Sequence, residues 1–173
     1  MPETDSLEII NPCHILVMYE DATAYDLAIE VCSGVMARFD AELRFVFSSW
    51  KFNDLTDPDL AQWAAEAGER ADIIIFCLPP HDLNPETVDW LASIQTRTKP
   101  EGALAMLLTQ SPGASLAPEG LLARLQQAAF RLQMDFLPLL PLPQGIGMQV
   151  NSPPVLLNRS VDESGGNHWG LNE

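Results

Sequence analysis

Five short apolar runs, separated by longer stretches with apolar residues at helical spacing, constrain this chain more than any other feature of its sequence. The runs are HILVMY (14–19), LRFVFS (43–48), DIIIFCL (72–78), ALAMLLT (103–109) and MDFLPLL (134–140). Their β-branched and aromatic residues favour strand over buried helix. Runs that are apolar nearly throughout, rather than alternating, are what parallel strands covered on both faces require. The fifth contains Pro138, which has no N–H to offer a neighbour and therefore belongs at a sheet edge.

The intervening stretches predict four helices. Residues 22–39 set Leu27, Val31, Met36 and Phe39 among small residues, the pattern of a well-buried helix. Residues 58–70 follow Asp57-Pro58, a cap and then proline at the first helical position, and carry Leu60, Trp63, Ala64 and Ala67. Residues 85–97 repeat the device with Asn84-Pro85 before Val88, Leu91 and Ile94, and residues 118–133 carry Leu121, Leu122, Leu125, Ala129 and Leu132. Right-handed crossovers then give a three-layer αβα sandwich around a five-stranded parallel sheet in the order 2-1-3-4-5. The first helix lies on one face and the other three on the opposite face, the arrangement of flavodoxin-like and response-regulator-like domains.

With 173 residues the chain reads as one domain, 1–157, with residues 158–173 as a flexible or docking C-terminal tail. A domain of this order normally returns a fifth helix beside the first. Residues 141–157, rich in proline and glycine, cannot form it. The thinly covered face is then expected to be closed by Ile146, Met148, Val150, Val155 and Leu156, or by a second subunit, which makes a homo-oligomer or another protein partner the expected association.

A formal charge of −15 repels phosphate backbones and anionic headgroups, so no nucleic acid or membrane partner is expected. The N-terminal residues lack a basic segment followed by an apolar one, and no apolar run reaches membrane-spanning length. Cys13, Cys32 and Cys77 are odd in number and form no CxxC pair, which fits free thiols in a reducing compartment and a cytoplasmic location.

In open parallel sheets ligands bind beyond the carboxyl ends of the strands, where the strand order reverses. That rule nominates Tyr19, Glu20 and Asp21 after the first strand, Cys77 to Asp82 around the third, Thr109 and Gln110 after the fourth, and Ser49 and Trp50 at the flank. Glu20-Asp21 resembles the acidic pair with which receiver domains hold Mg²⁺, and Thr109 stands where a receiver has its switch hydroxyl. The third strand, however, offers Cys77 or Leu78 where a receiver presents its phospho-accepting aspartate, and no lysine follows the fifth strand. Asp21 also suits a helix cap, with Glu20 beside the positive helix end. Flavin is disfavoured because Glu20-Asp21-Ala22-Thr23 puts two negative charges where a flavodoxin-like phosphate loop needs N–H groups. There is no GxGxxG and no GxxxxGK[ST].

Cys77 and His81 form a candidate thiol–imidazole nucleophile, with Asp82 to orient the ring; a cysteine inside IIIFCLPP is more often a buried small hydrophobe, its thiol held protonated by apolar surroundings. Trp50, Lys51, Phe52 and Leu55 read as an aromatic segment after the second strand that either anchors a partner or packs on its own domain. His168 and Trp169 in the terminal HWGLNE are further interaction candidates, and Trp169 is expected to return to the sheet edge near Trp50.

Taken together, YED after the first strand, WKFxxL after the second, ADIII in the third, LxPxxVxWL in the next helix, GALxxLL, MDF and HWGLNE resemble an uncharacterised family of bacterial proteins. The resemblance implies a bacterial cytoplasmic protein and transfers no catalytic role. The sequence-based reading is a non-catalytic regulatory, sensory or protein-interaction module with a degenerate receiver-like site. The alternatives are a small metal-dependent or cysteine hydrolase using Glu20 and Asp21 with Cys77 or His81, and a flavin- or nucleotide-binding protein.

Overall fold

A computed structural model of the chain describes residues 11–39, 43–94, 97, 99, 101–109 and 118–139. The elements alternate as expected: β1 (Cys13–Tyr19), α1 (Ala22–Phe39), β2 (Phe45–Lys51), a 3₁₀ turn (Phe52–Thr56), α2 (Pro58–Arg70), β3 (Ile73–Leu78), α3 (Pro85–Ser93), β4 (Ala103–Leu108), α4 (Glu119–Arg131) and β5 (Asp135–Leu139). All four strand pairings are parallel and the sheet order is β2-β1-β3-β4-β5, the flavodoxin-like doubly wound arrangement.

Two cores flank the sheet. Leu16, Met18, Ile74, Phe76, Leu78, Leu104, Met106 and Leu108 point to the side of α2, α3 and α4, where they meet Ala64, Trp90, Leu91, Leu121 and Leu125. Ile15, Val17, Ile75, Cys77, Ala105 and Leu107 point the other way, onto Ala24, Ala28, Val31 and Cys32 of α1. One helix against three is the distribution that the crossover rule gives for this order. Pro138 sits in β5, which is an edge strand, as a residue without an N–H requires. Residues 141–157, expected to replace a fifth helix, and the tail 158–173 lie outside the described residues.

Two boundaries differ from expectation by three residues or more. The second strand, expected over 43–48, runs three residues further, because all of β1 through Tyr19↔Lys51 is in register with it. Trp50 and Lys51 therefore belong to β2, and Phe52 and Leu55 are buried in the 3₁₀ turn that follows. The third helix, expected to 97, stops at Ser93. The backbone turns extended at Ile94, with ψ 98°, and the Arg131 guanidinium donates to Leu91 O and, at 3.0 Å, to Ile94 O.

Positive charge is gathered at the amino ends of the strands. Arg97 donates to Ala71 O at 2.6 Å and Glu101 O at 2.9 Å, and burial pulls its pKa down. Lys99 Nζ pairs with Asp72 Oδ1 at 2.7 Å, while Asp72 Oδ2 accepts the His14 N–H at the start of β1. Among the described residues no helix is long and apolar enough to cross a membrane.

Candidate functional site

The register Tyr19↔Cys77 sets the carboxyl ends of β1 and β3 side by side at the point where the strand order reverses. A cleft of about 300 Å³ opens there, lined by Glu20 from the loop after β1, Phe52 and Asn53 from the 3₁₀ turn, and Leu78, His81, Asp82, Leu83 and Asn84 from the end of β3 and its following loop. Its floor is apolar and continuous with the core: Phe52 stacks on Phe76 at 6.0 Å and 26°, and Phe76 meets Trp90 at 6.2 Å and 57°.

The rim is polar. His81 Nε2 lies 2.7 Å from Glu20 Oε2, with the two side chains 50% and 37% exposed, and His81 Nδ1 donates to Asp82 O at 2.8 Å. Both ring nitrogens thus face acceptor oxygens. At this exposure the pair is worth no more than a surface ion pair, but it ties the β1 loop to the β3 loop across the cleft mouth. Among the described residues, no Lys or Arg lines the cleft.

Side-chain oxygens of the chain occupy the helix N-termini around this edge. Asp21 Oδ1 accepts from Ala24 N–H at 2.8 Å and caps α1. Asp57 Oδ1 accepts from Asp59 and Leu60 and caps α2, and Asn84 Oδ1 accepts from Thr87 N–H at 2.8 Å and caps α3. At α4, whose N-cap Pro118 makes no side-chain bond, the Asp82 carboxylate lies against Gly120; a Cβ there would stand 3.0 Å from Asp82 Oδ1. Each oxygen sits where unpaired N–H groups and the helix dipole favour negative charge.

The residues nominated from sequence therefore divide. Of the YED segment, Tyr19 packs on Tyr25 of α1 at 4.9 Å, Glu20 enters the cleft, and Asp21 caps α1. His81 joins Glu20. Cys77 does not line the cleft: it is fully buried on the α1 side, and burial first, then the Asp21 carboxylate, push its thiol up to about 12. A thiol so held contributes almost no thiolate at neutral pH. Thr109 is buried and extends the β3–β4 ladder through its amide, which donates to Leu78 O at 3.0 Å. Trp50 packs at the edge of the larger core, with its indole Nε1 buried and unpartnered among the described residues. Phe52 is both core and cleft floor. Gln110, His168 and Trp169 lie outside the described residues. The described residues contain no cluster of three or more His, Cys, Asp or Glu side chains that could hold a metal ion.

Asn53, Leu83 and Asn84 were not nominated as site residues. The signal for Asn53 was the position of the segment after β2 beside the reversal point, and Leu83 and Asn84 continue the loop after β3 that carries His81 and Asp82.

Fold and cleft together define a flavodoxin-like doubly wound α/β domain with a mixed apolar and acidic crevice at its β1–β3 switch point. No protein-family model matches the chain, and no curated protein matches it. Among solved structures, it is similar to general stress protein 14 of Treponema denticola, determined in complex with FMN. The two are 15% identical, the match covers 73% of this chain and 83% of that one, and the TM-score is 0.41.

Proposed function

We propose that this chain is a non-catalytic sensory or regulatory module that binds a small molecule in the β1–β3 crevice. The observation that carries this reading is the cleft itself: an apolar floor of Phe52, Leu78 and Leu83 under a polar rim of Glu20, His81, Asp82 and Asn53. Its volume falls at the lower end of the roughly 300–1,000 Å³ usual for small-molecule sites. The groups a reaction would need point elsewhere. Cys77 faces α1, Asp21 holds a helix end, and both nitrogens of His81 are engaged. A receiver-like phosphotransfer lacks its aspartate, since β3 ends in Cys77-Leu78.

Flavin binding is the second reading, because the β1–β3 switch point is where flavodoxin-like domains hold FMN. Against it stands Asp21, whose carboxylate occupies the α1 N-terminus that a flavin phosphate would use. The test is a visible absorption spectrum of the purified protein together with an NMR screen of small fragments against ¹⁵N-labelled chain. Absence of flavin absorbance and fragment-induced shifts centred on Glu20, Asn53 and Leu83 are the expected results. A flavin band favours the second reading, and shifts confined to other surfaces refute both.

A further inference from the structure

The chemistry of the cleft narrows what it can hold. An anionic ligand in a doubly wound domain is normally received by the exposed N–H groups of a helix N-terminus. Here those ends are taken: Asp21 at α1, Asp57 at α2, Asn84 at α3, and Asp82 over Gly120 at α4. Three cationic side chains are bound at the far edge of the sheet, where Arg97, Lys99 and Arg131 hold Ala71 O, Asp72 and Ile94 O, and Lys51, which ends β2 beside Tyr19, is exposed and does not line the cleft. Among the described residues no Lys or Arg lines the cleft, and the charged or ionisable groups that do are Glu20, Asp82 and His81. The surrounding field of a chain with net charge −15 attracts cations and repels anions.

Within the cleft the carboxylates differ. Asp82 lies against the start of α4, whereas Glu20 is met by the imidazole of His81, among the described residues the one lining group able to carry positive charge. His81 thus occupies the place a ligand cation would take, and a ligand with a more strongly held positive charge competes for it. The apolar floor excludes a bare, fully hydrated ion as a good fit, because Phe52, Leu78 and Leu83 offer it nothing in return for lost water.

We infer that the cleft binds a compact organic monocation, an ammonium or amidinium group on a short apolar or aromatic body. The cation pairs with Glu20 at the rim, and the body lies on Phe52, Leu78 and Leu83. This rests on the reading of the cleft as a small-molecule site and adds the ligand class.

Phenethylamine is the probe, with 2-phenylethanol and phenylacetate as neutral and anionic comparators of similar shape, each titrated into ¹⁵N-labelled full-length chain. Phenethylamine is expected to give saturable shifts at Glu20, Asn53 and Leu83, and phenylacetate none. Glu20→Gln weakens the amine about tenfold, the loss of one charge-assisted hydrogen bond, while leaving the weaker binding of 2-phenylethanol unchanged. His81→Gln removes the resident competitor and tightens the amine. Equal or tighter binding of phenylacetate or 2-phenylethanol at these amides overturns the ligand class and leaves the cleft reading standing. Unchanged or weaker amine binding in His81→Gln overturns the role of Glu20 as the cation's acceptor. No cleft shift from any of the three at millimolar concentration overturns both.

Discussion

Replacing Asp21 separates helix capping from metal binding, because the two roles respond differently to alanine and asparagine. Alanine removes the oxygen that accepts from Ala24 N–H at 2.8 Å, at the start of an 18-residue helix with no acidic residue in its own first turn. The lost cap costs about 1 kcal/mol, and the lost charge at the positive end of the helix about 0.5 kcal/mol more. Asparagine keeps an acceptor oxygen in place and loses only the charge, so Asp21→Asn costs about 0.5 kcal/mol. For a domain of this size a total of about 1.5 kcal/mol lowers the melting temperature by roughly 3–6 °C. Urea unfolding should show the midpoint falling in that order, alanine well below asparagine, with the slope unchanged. Added Mg²⁺ should affect the two variants and the wild type alike. The reasoning is refuted if asparagine is as damaging as alanine, or if Mg²⁺ stabilises the wild type by an increment that Asp21→Asn lacks.

Three further outcomes are expected. Phe76→Ala removes the ring between Phe52 and Trp90 in a fully buried site and should cost about 3–5 kcal/mol in urea unfolding; a loss near zero would mean that the stack contributes nothing. Gln133 closes α4 with φ 56°, where Gln133 N–H donates to Phe130 O and Met134 N–H to Ala129 O. Gln133→Gly should therefore raise stability by roughly 0.5–1 kcal/mol, and a lower melting temperature would refute that account. Burial pushes the thiols of Cys32 and Cys77 up to about 11 and about 12, above the ordinary 9.0, so the folded chain retains protons that the unfolded chain releases. Their contribution is whole below pH 9 and is lost as pH rises toward 11 to 12. Urea midpoints across that range and a thiol reagent at pH 8 check it: both cysteines should react only on unfolding.

Much of the fold was legible because its signals are local. Apolar runs dense in Ile, Val and Phe can be read one strand at a time, and Asp57-Pro58 and Asn84-Pro85 announce the first residues of α2 and α3 directly. The end of α3 was not legible, since its last carbonyls are met by a guanidinium supplied by the next helix, 37 and 40 residues further on. The extent of β2 was hidden for a related reason. Ser48 and Ser49 look like a strand ending, yet an edge strand tolerates them and its length is set by pairing with β1. At the site, the rim was legible from topology but its partnerships were not. His81 stands closer in sequence to Cys77 than to Glu20. The alternation of side chains along β3 turns Cys77 toward α1, and the loop beyond it returns His81 to Glu20 on the neighbouring strand.

The reach of Arg131 bears on the order in which the chain completes itself. The carbonyls it satisfies, Leu91 O and Ile94 O, lie 40 and 37 residues earlier. A nascent or truncated chain that has not yet delivered this side chain leaves the third helix with an unfinished end. The third and fourth strand–helix units are thereby made to assemble as one cooperative block, and a fragment cut between them inherits a defect that neither half can repair alone.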